Sequence, residues 1–157
     1  INKVAREFGG VEHRIEFVRE LDGVKYYNSS IDSSPNRTIN TLKVFEKPVI
    51  LIAGGKDKGI PYDELGPHLL DKVKELILIG ATSGVILESA QKEAQKRGVS
   101  FDLPVYNAST YEDAVKYAAK IASDGDVVLL SNASTSFDMF KNFADRGEQF
   151  KNLVNNL

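Results

Sequence analysis

Three short polar segments of this chain are suited to binding an anion. Residues 131–136 are six small residues, five of them polar, and they directly follow the apolar run Val127–Leu130. Residues 54–59 contain three glycines and two lysines and follow another apolar run, Val49–Ala53, while residues 28–34 are rich in serine. Hydroxyls, ammonium groups and the N–H groups at a helix start all suit a carboxylate or a phosphate. No hydrophobic core requires the side chains of residues 131–136, so we interpret that segment as a ligand-binding loop.

The apolar runs that precede such segments predict a parallel sheet. Each is short and has the composition of a strand that is buried on both faces. Open α/β sheets bind their ligands at the carboxyl ends of the strands, where the polar segments begin. The runs of this kind are Val49–Ala53 and Val127–Leu130, and two further strands are predicted at residues 76–79 and 105–106.

An antiparallel hairpin is predicted ahead of these strands. Residues 14–20 and 24–27 are strand-like, and Asp22-Gly23 between them is typical of a tight turn. Beyond the hairpin, strands and helices alternate, which implies right-handed crossovers and helices on both faces of the sheet. The expected fold is a single α/β domain over residues 1–157, with a mostly parallel Rossmann-like sheet flanked by helices and the antiparallel hairpin at its edge.

Helix starts are predicted from residues that commonly cap helices. Ser34 followed by Pro35 favours one start, Thr82 or Ser83 a second, and Ser109 a third. Apolar periodicity adds a helix over residues 62–74, and two glycines close the tail of a helix within residues 1–10.

A further helix is predicted after the last polar segment. Phe137, Phe140 and Phe143 recur at a spacing of three, which is compatible with one side of a helix that faces the core. We expect Phe140 in particular to belong to the core.

Composition excludes several classes of function. The 157 residues carry a net charge of −2 without a basic stretch, so no electrostatic argument favours nucleic acid. Cysteine is absent and only His13 and His68 are present, so no metal site is predicted. No apolar run approaches the roughly 20 residues of a membrane span and no signal peptide is visible, so we expect a cytoplasmic protein. Because the chain begins at Ile1 rather than methionine, we expect a fragment of a longer protein.

Each polar segment also has a simpler interpretation. Residues 54–59 match neither the P-loop nor the dinucleotide fingerprint, so a solvated turn is equally consistent with them. Residues 28–34 are also explained by helix capping alone. His13-Arg14, taken alone, is most simply a pair of polar surface residues.

The stretch of residues 136–150 carries a resemblance that changes these interpretations. It reads SFDMFKNFADRGEQF and resembles, in register over fifteen positions, a signature in the C-terminal domain of the Mur ligases. That signature is Ser-(Leu/Phe)-Asp-x-Phe-Lys-(Asn/Asp)-Phe-x-x-Arg-Gly-x-x-Phe, and it follows a Ser/Ala-rich loop at the end of the last strand. The resemblance extends over essentially the whole chain.

The resemblance implies a part in peptidoglycan synthesis. It is strongest to the member of the family that joins D-glutamate to UDP-N-acetylmuramoyl-L-alanine at the expense of ATP. The domain would then bind and position D-glutamate and contribute to binding the ATP phosphates. An N-terminal domain of the same chain would hold the UDP-sugar, and a central domain would hold most of the ATP and Mg²⁺. The isolated fragment is expected to be inactive, because it lacks a P-loop.

The resemblance also assigns roles to individual residues. Ser33, Lys58 and Ser136 match positions that hold D-glutamate, Phe143 matches one that holds it through the backbone, and Phe137 follows the matched serine. These five form the expected substrate-binding set, and no catalytic residue is assigned.

Two further matches concern the nucleotide. Arg14 matches an arginine that reaches the ATP phosphates, and Ser29 stands where the family has an aspartate near the ATP. Asp32 is a possible replacement for that missing charge, and His13 is expected to shape the segment around Arg14. The remaining polar matches of the signature are expected to form structural ion pairs or caps, namely Asp138, Lys141 and Arg146.

Two alternatives stay open at this point. One is the C-terminal domain of another Mur-type ligase, which adds a diamino acid or a dipeptide, or of folylpolyglutamate synthase. Those enzymes carry an Asp-x-x-His/Asn-x-Pro loop where this chain has residues 28–35. The other alternative is a stand-alone α/β ligand-binding module.

Overall fold

The computed structural model describes residues 11–157, so the helix tail predicted within residues 1–10 lies outside the described residues. The described chain opens with the predicted hairpin, in which β1 (Glu16–Leu21) pairs antiparallel with β2 (Val24–Asn28). Asp22 and Gly23 both have positive φ, 54° and 79°. Two successive positive φ angles define the turn that best matches the twist of a two-residue hairpin, which explains the Asp-Gly pair.

The sheet has six strands in the order β1-β2-β6-β3-β4-β5. Every neighbouring pair except β1 with β2 is parallel. The prediction of a mostly parallel sheet with an edge hairpin is therefore confirmed. The four remaining strands are β3 (Val49–Ala53), β4 (Val73–Leu78), β5 (Val105–Asn107) and β6 (Val127–Leu130).

Helices cover both faces of the sheet. One buried cluster contains side chains of α1, α2 and α3, and the other contains side chains of α4 and α5. Within residues 11–157, no helix combines the length and the apolar character needed to cross a membrane. The five described helices are α1 (Pro35–Leu42), α2 (Leu65–Lys72), α3 (Ser83–Arg97), α4 (Tyr111–Ile121) and α5 (Phe143–Asn155).

The predicted helix starts are right at Ser34 and at Thr82, which precedes α3, and they are shifted in other cases. Ser34 caps α1, and its Oγ accepts a hydrogen bond from the Arg37 N–H at 3.5 Å. Thr110, rather than Ser109, caps α4 through a 3.0 Å bond from the Asp113 N–H. The helix predicted over residues 62–74 is shorter, because Val73 already begins β4 and pairs with β3.

The helix predicted from the phenylalanine spacing begins later than expected. Residues 137–142 form turns, and α5 starts only at Phe143. Asn142 caps this helix, since its Oδ1 accepts from the Asp145 N–H at 2.8 Å. Phe140 is half-buried and packs edge-on against Tyr111, with ring centroids 5.0 Å apart. The cap therefore outweighs the aromatic spacing as a signal for the helix start.

Candidate functional site

The loop between β6 and α5 divides into an inner segment, residues 131–136, and an outer segment, residues 137–142. All six residues of the inner segment are buried. The Ser131 hydroxyl donates to Asp32 Oδ2 at 2.7 Å, and Ser134 Oγ lies 2.9 Å from the Tyr62 hydroxyl and 2.8 Å from Thr82 Oγ1. The expectation that no core needs these side chains is therefore wrong, because they form a polar core beneath the strand ends.

Two buried atoms of the inner segment lack a hydrogen-bond partner among residues 11–157. Asn132 Nδ2 donates to the Gly54 carbonyl at 3.1 Å and to the Tyr111 hydroxyl at 2.8 Å, but Asn132 Oδ1 accepts no hydrogen bond. Thr135 Oγ1 is likewise buried and unpaired. Between them, Ala133 has a φ of 56°, which an alanine rarely adopts. The segment thus holds a tight conformation at the end of β6.

The glycine-rich loop after β3 packs directly onto the inner segment. The Lys56 N–H donates to the Thr135 carbonyl at 3.0 Å, and the two residues form an antiparallel bridge. A Cβ at Gly55 would lie only 2.3 Å from the Thr135 carbonyl oxygen and 3.0 Å from Ser134 Cβ. Glycine is therefore required at position 55 because the two backbones approach closely.

Arg146 joins the inner segment to the loop between β2 and α1. Its guanidinium donates to the Ser134 carbonyl at 2.9 Å, the Ser30 carbonyl at 2.6 Å, Ser30 Oγ at 2.9 Å and Ser33 Oγ at 3.4 Å. The side chain is fully buried, and burial lowers the pKa of its guanidinium. Arg146 is thus structural as expected, but its partners are hydroxyls and carbonyls rather than the carboxylate of an ion pair.

The His13-Arg14 segment lies against the start of α5. His13 has a φ of 68°, is buried, and places its Nδ1 2.9 Å from Asn28 Nδ2. A Cβ at Gly147 would come within 2.2 Å of the same His13 nitrogen. The buried imidazole therefore anchors this segment, while the neighbouring Arg14 side chain is exposed.

The predicted site residues differ in how much of each side chain is left free. Lys58 is exposed, and no hydrogen bond or ion pair within residues 11–157 engages its ammonium group. Ser136 is buried at the border of the inner segment, and its hydroxyl has no partner among the described residues. Ser33 is half-buried, with its oxygen accepting from Arg146. Phe137 is 59% exposed and Phe143 is 37% exposed.

Ser29 and Asp32 face inward. Ser29 is fully buried, and its Oγ accepts a hydrogen bond from the Ile15 N–H at 3.2 Å. Asp32 accepts from Thr41 at 2.7 Å as well as from Ser131, and burial raises the pKa of its carboxyl despite these bonds. Both residues therefore hold the loops together in this conformation instead of presenting surface to a ligand.

One open cavity of the described residues lies elsewhere. It has a volume of about 550 Å³ and runs between the start of α4 and the side of α5. Met139 and Phe140 of the outer segment line it, but none of the predicted site residues does. The loops that contain Ser33, Lys58 and Ser136 follow β2, β3 and β6 at the strand ends beside β6, and they lie outside this cavity.

The burial of Arg146 was not predicted, although the spacing of its apolar neighbours indicates it. Phe150 and Val154 follow it at spacings of four and eight residues, and both are fully buried. Residues at such spacings share one face of a helix. That periodicity would have identified Arg146 as a buried guanidinium on the core face of α5.

Residues 13–133 match the family model described as Mur ligase, glutamate ligase domain. The chain belongs to the Mur ligase family. Among its relatives, the UDP-N-acetylmuramoylalanine--D-glutamate ligase of Ruminiclostridium cellulolyticum is 58% identical over 157 residues, which is 100% of this chain and 34% of the relative. The chain therefore spans about a third of the length of the relatives it matches.

Solved structures of other Mur-type ligases share the fold. A murein peptide ligase from Psychrobacter arcticus matches 92% of this chain and 30% of its own, with a TM-score of 0.58 and 13% identity. A bifunctional folylpolyglutamate synthase/dihydrofolate synthase from Yersinia pestis, in complex with AMPPNP and a manganese ion, matches 91% of this chain and 31% of its own. Its TM-score is 0.57 at 19% identity. At these identities the likeness concerns the α/β fold alone.

Proposed function

We propose that this domain binds D-glutamate and holds its amine for attack on an activated carboxyl group. It would do so as part of a cytoplasmic, ATP-dependent ligase that adds D-glutamate to UDP-N-acetylmuramoyl-L-alanine during peptidoglycan synthesis. The observation that carries the proposal is the 58% identity, over the whole chain, to a relative named for that reaction. Membership of the Mur ligase family supports it.

The amino acid would bind at the strand ends beside β6, between the loops that contain Ser33, Lys58 and Ser136. The Lys58 ammonium group would pair with one carboxylate, while the Ser33 and Ser136 hydroxyls and the Phe143 N–H would donate to the carboxylates. The first N–H groups of a helix have no partner inside it, so the start of α5 suits an anion. Phe137 would cover the bound amino acid with its exposed ring. Fixing the amine in this way makes a bimolecular step effectively intramolecular.

ATP supplies the phosphoryl group that activates the carboxyl group. Within this domain Arg14 would contact its phosphates, because its guanidinium is exposed, has no partner within residues 11–157, and matches phosphate oxygens in charge and geometry. Ser29 would act on the nucleotide indirectly, since its bond to the Ile15 N–H fixes the residue that follows Arg14.

We assign Mg²⁺ and most of the ATP to a central domain of the full enzyme. Within residues 11–157, the one group of side chains with a cation-binding arrangement is Glu12, His13 and Glu16. The Lys151 ammonium already lies 2.7 Å from Glu12 Oε2 and 3.1 Å from Glu16 Oε2. Lys151 thus supplies the positive charge that this cluster needs.

The proposal is tested with the full-length ligase that contains this domain. The purified enzyme is incubated with ATP, Mg²⁺, UDP-N-acetylmuramoyl-L-alanine and one amino acid at a time, and the amide product is measured by mass spectrometry. We expect product with D-glutamate and none with L-glutamate or a diamino acid. Product only with a diamino acid, and with UDP-N-acetylmuramoyl-L-alanyl-D-glutamate as the acceptor, would support another Mur-type ligase. No product with any amino acid would support a binding module.

A further inference from the structure

Arg146 is a buried cation that forms no ion pair in the part of the chain that the structure describes. Its side chain is the largest among those that are essentially inaccessible to solvent. All four of its hydrogen bonds go to neutral oxygen atoms of Ser30, Ser33 and Ser134. A buried guanidinium is ordinarily paired with a carboxylate, because an isolated charge is costly to remove from water. Arg146 forms no ion pair within the described residues, so its charge is only partly compensated.

Two acidic side chains favour the charged form of Arg146 without contacting it. Asp32 lies close enough to favour the charged form of Arg146, but its Oδ2 accepts from Thr41 and Ser131. Asp138 also favours the charged guanidinium, yet its side chain is exposed on the outer segment. Neither carboxylate makes a direct contact with Arg146.

Of the four acceptors, Ser33 Oγ alone belongs to the proposed binding surface. It accepts from Arg146 Nη2 at 3.4 Å and belongs to a half-buried residue. A hydroxyl that accepts from a cation keeps its own proton for donation, and the cation strengthens that donation in a low-dielectric surrounding. A ligand carboxylate at Ser33 would therefore sense the charge of Arg146 through the shared hydroxyl.

We propose that Arg146 is a positioning residue for the amino-acid substrate, and that it polarises the Ser33 hydroxyl toward a substrate carboxylate. This inference rests on the proposed function. The same guanidinium also bonds the Ser134 carbonyl of the inner segment, which holds it in place next to Ser33. The negative charge of the bound substrate carboxylate would then compensate the positive charge of Arg146.

The first test is a double-mutant cycle in the full-length ligase. Arg146→Lys keeps the charge but cannot contact all of the oxygens that the planar guanidinium reaches. We expect it to raise the KM for D-glutamate about tenfold, the effect of one charge-assisted hydrogen bond. The KM values for ATP and for the UDP-sugar should stay within about twofold, because Arg146 acts through Ser33 alone.

The cycle measures how much of the effect of Arg146 on D-glutamate binding depends on the Ser33 hydroxyl. Once Ser33→Ala has removed the hydroxyl, adding Arg146→Lys should raise the KM for D-glutamate by much less than about tenfold. A matched cycle of Arg146→Lys with Ser136→Ala should be additive, because these two side chains make no contact. Arg97→Lys, at a surface ion pair, is the control for an arginine change in general. Additivity between Arg146 and Ser33, or an equal rise of all three KM values, would overturn the proposal.

A second measurement needs no change at Arg146 and so does not depend on how well the variant folds. The guanidinium Nε–H resonance of Arg146 is followed by NMR while D-glutamate is added to the full-length ligase. We expect the resonance to shift on saturation in the unsubstituted protein and to shift far less in Ser33→Ala. A resonance that is unmoved at saturating D-glutamate rejects the inference alone. If the unsubstituted ligase forms no D-glutamate product, the proposed function fails instead.

Discussion

The inner and outer segments of the loop after β6 adjoin each other in sequence but differ in their relation to solvent. The inner segment is buried, and its serines bond to distant residues such as Asp32 and Thr82. The outer segment exposes Phe137 and Met139 and ends with Asn142, the cap of α5. A run of polar side chains at a strand end therefore need not be a set of ligand groups. The groups available to a ligand are those that the polar core leaves unpaired.

The most damaging change should be one that separates the inner segment from the loop after β3. Gly55→Ala places a Cβ against the Thr135 carbonyl, and we expect it to destabilise the domain by about 2–3 kcal/mol through overpacking. Gly84→Ala on α3 is the matched control, since nothing lies within 4 Å of its added Cβ. Urea denaturation measures both variants. Equal stabilities for the two would contradict the close packing described for the inner segment.

The side chain of Arg14 is an exposed group outside the loop after β6, and its removal tests the proposed contact with ATP. In the full-length ligase, Arg14→Ala should lower kcat by about tenfold to a hundredfold, because a charge-assisted contact to the phosphates is lost. The KM for D-glutamate should change less. Lys120→Ala, an exposed cation on α4, serves as the control. An effect on the D-glutamate KM alone would move Arg14 into the amino-acid pocket.

Ser136 lies at the border between the two segments, and its hydroxyl is unpaired within the described residues. Ser136→Ala should raise the KM for D-glutamate about fivefold, as expected for one neutral hydrogen bond of about 1 kcal/mol. The stability of the domain should stay almost unchanged, unlike that of Gly55→Ala. Ser100→Ala, at an exposed serine far along the chain, is the control. An unchanged KM would remove Ser136 from the pocket.

The smallest effect concerns the pH dependence of the inner polar core. The pKa of Asp32 is raised by burial, so folding favours its protonated form. Its contribution to stability is therefore full below pH 3.8, the ordinary value, and declines as the pH rises through the raised pKa. Asp32→Asn should remove this decline, which is measured as the difference in unfolding free energy between the two proteins across pH. A difference in unfolding free energy that does not vary with pH would show that folding does not raise the pKa of Asp32.

Local patterns predicted most of the fold. The Asp22-Gly23 turn, the buried strands and the cap at Ser34 depend on neighbouring residues, and the structure confirms all three. The contacts of the polar core could not be predicted in this way, because they join residues far apart in sequence. Ser131 and Asp32 are separated by 99 positions, and Arg146 and Ser30 by 116.

The candidate site likewise contains residues that the sequence could identify and contacts that it could not. The resemblance in sequence selected Ser33, Lys58 and Ser136, but no sequence pattern indicated that Arg146 would connect two of the loops that contain them. Its burial follows from the periodicity of α5, whereas its four acceptors are fixed only by the packing of that helix against the strand ends. Ser29 illustrates the same limit, because its burial depends on the distant Ile15 N–H.

The central claim is that unpaired groups at the edge beside β6 bind D-glutamate, and two neighbouring lysines test it most directly. Both Lys56 and Lys58 are exposed, but only Lys58 is assigned to a carboxylate. In the full-length ligase, Lys58→Ala should raise the KM for D-glutamate by about ten- to a hundredfold, since a charge-assisted bond contributes about 1.5–3 kcal/mol. Lys56→Ala should leave this KM within about twofold. Equal effects of the two substitutions, or no effect of Lys58→Ala, would contradict the account.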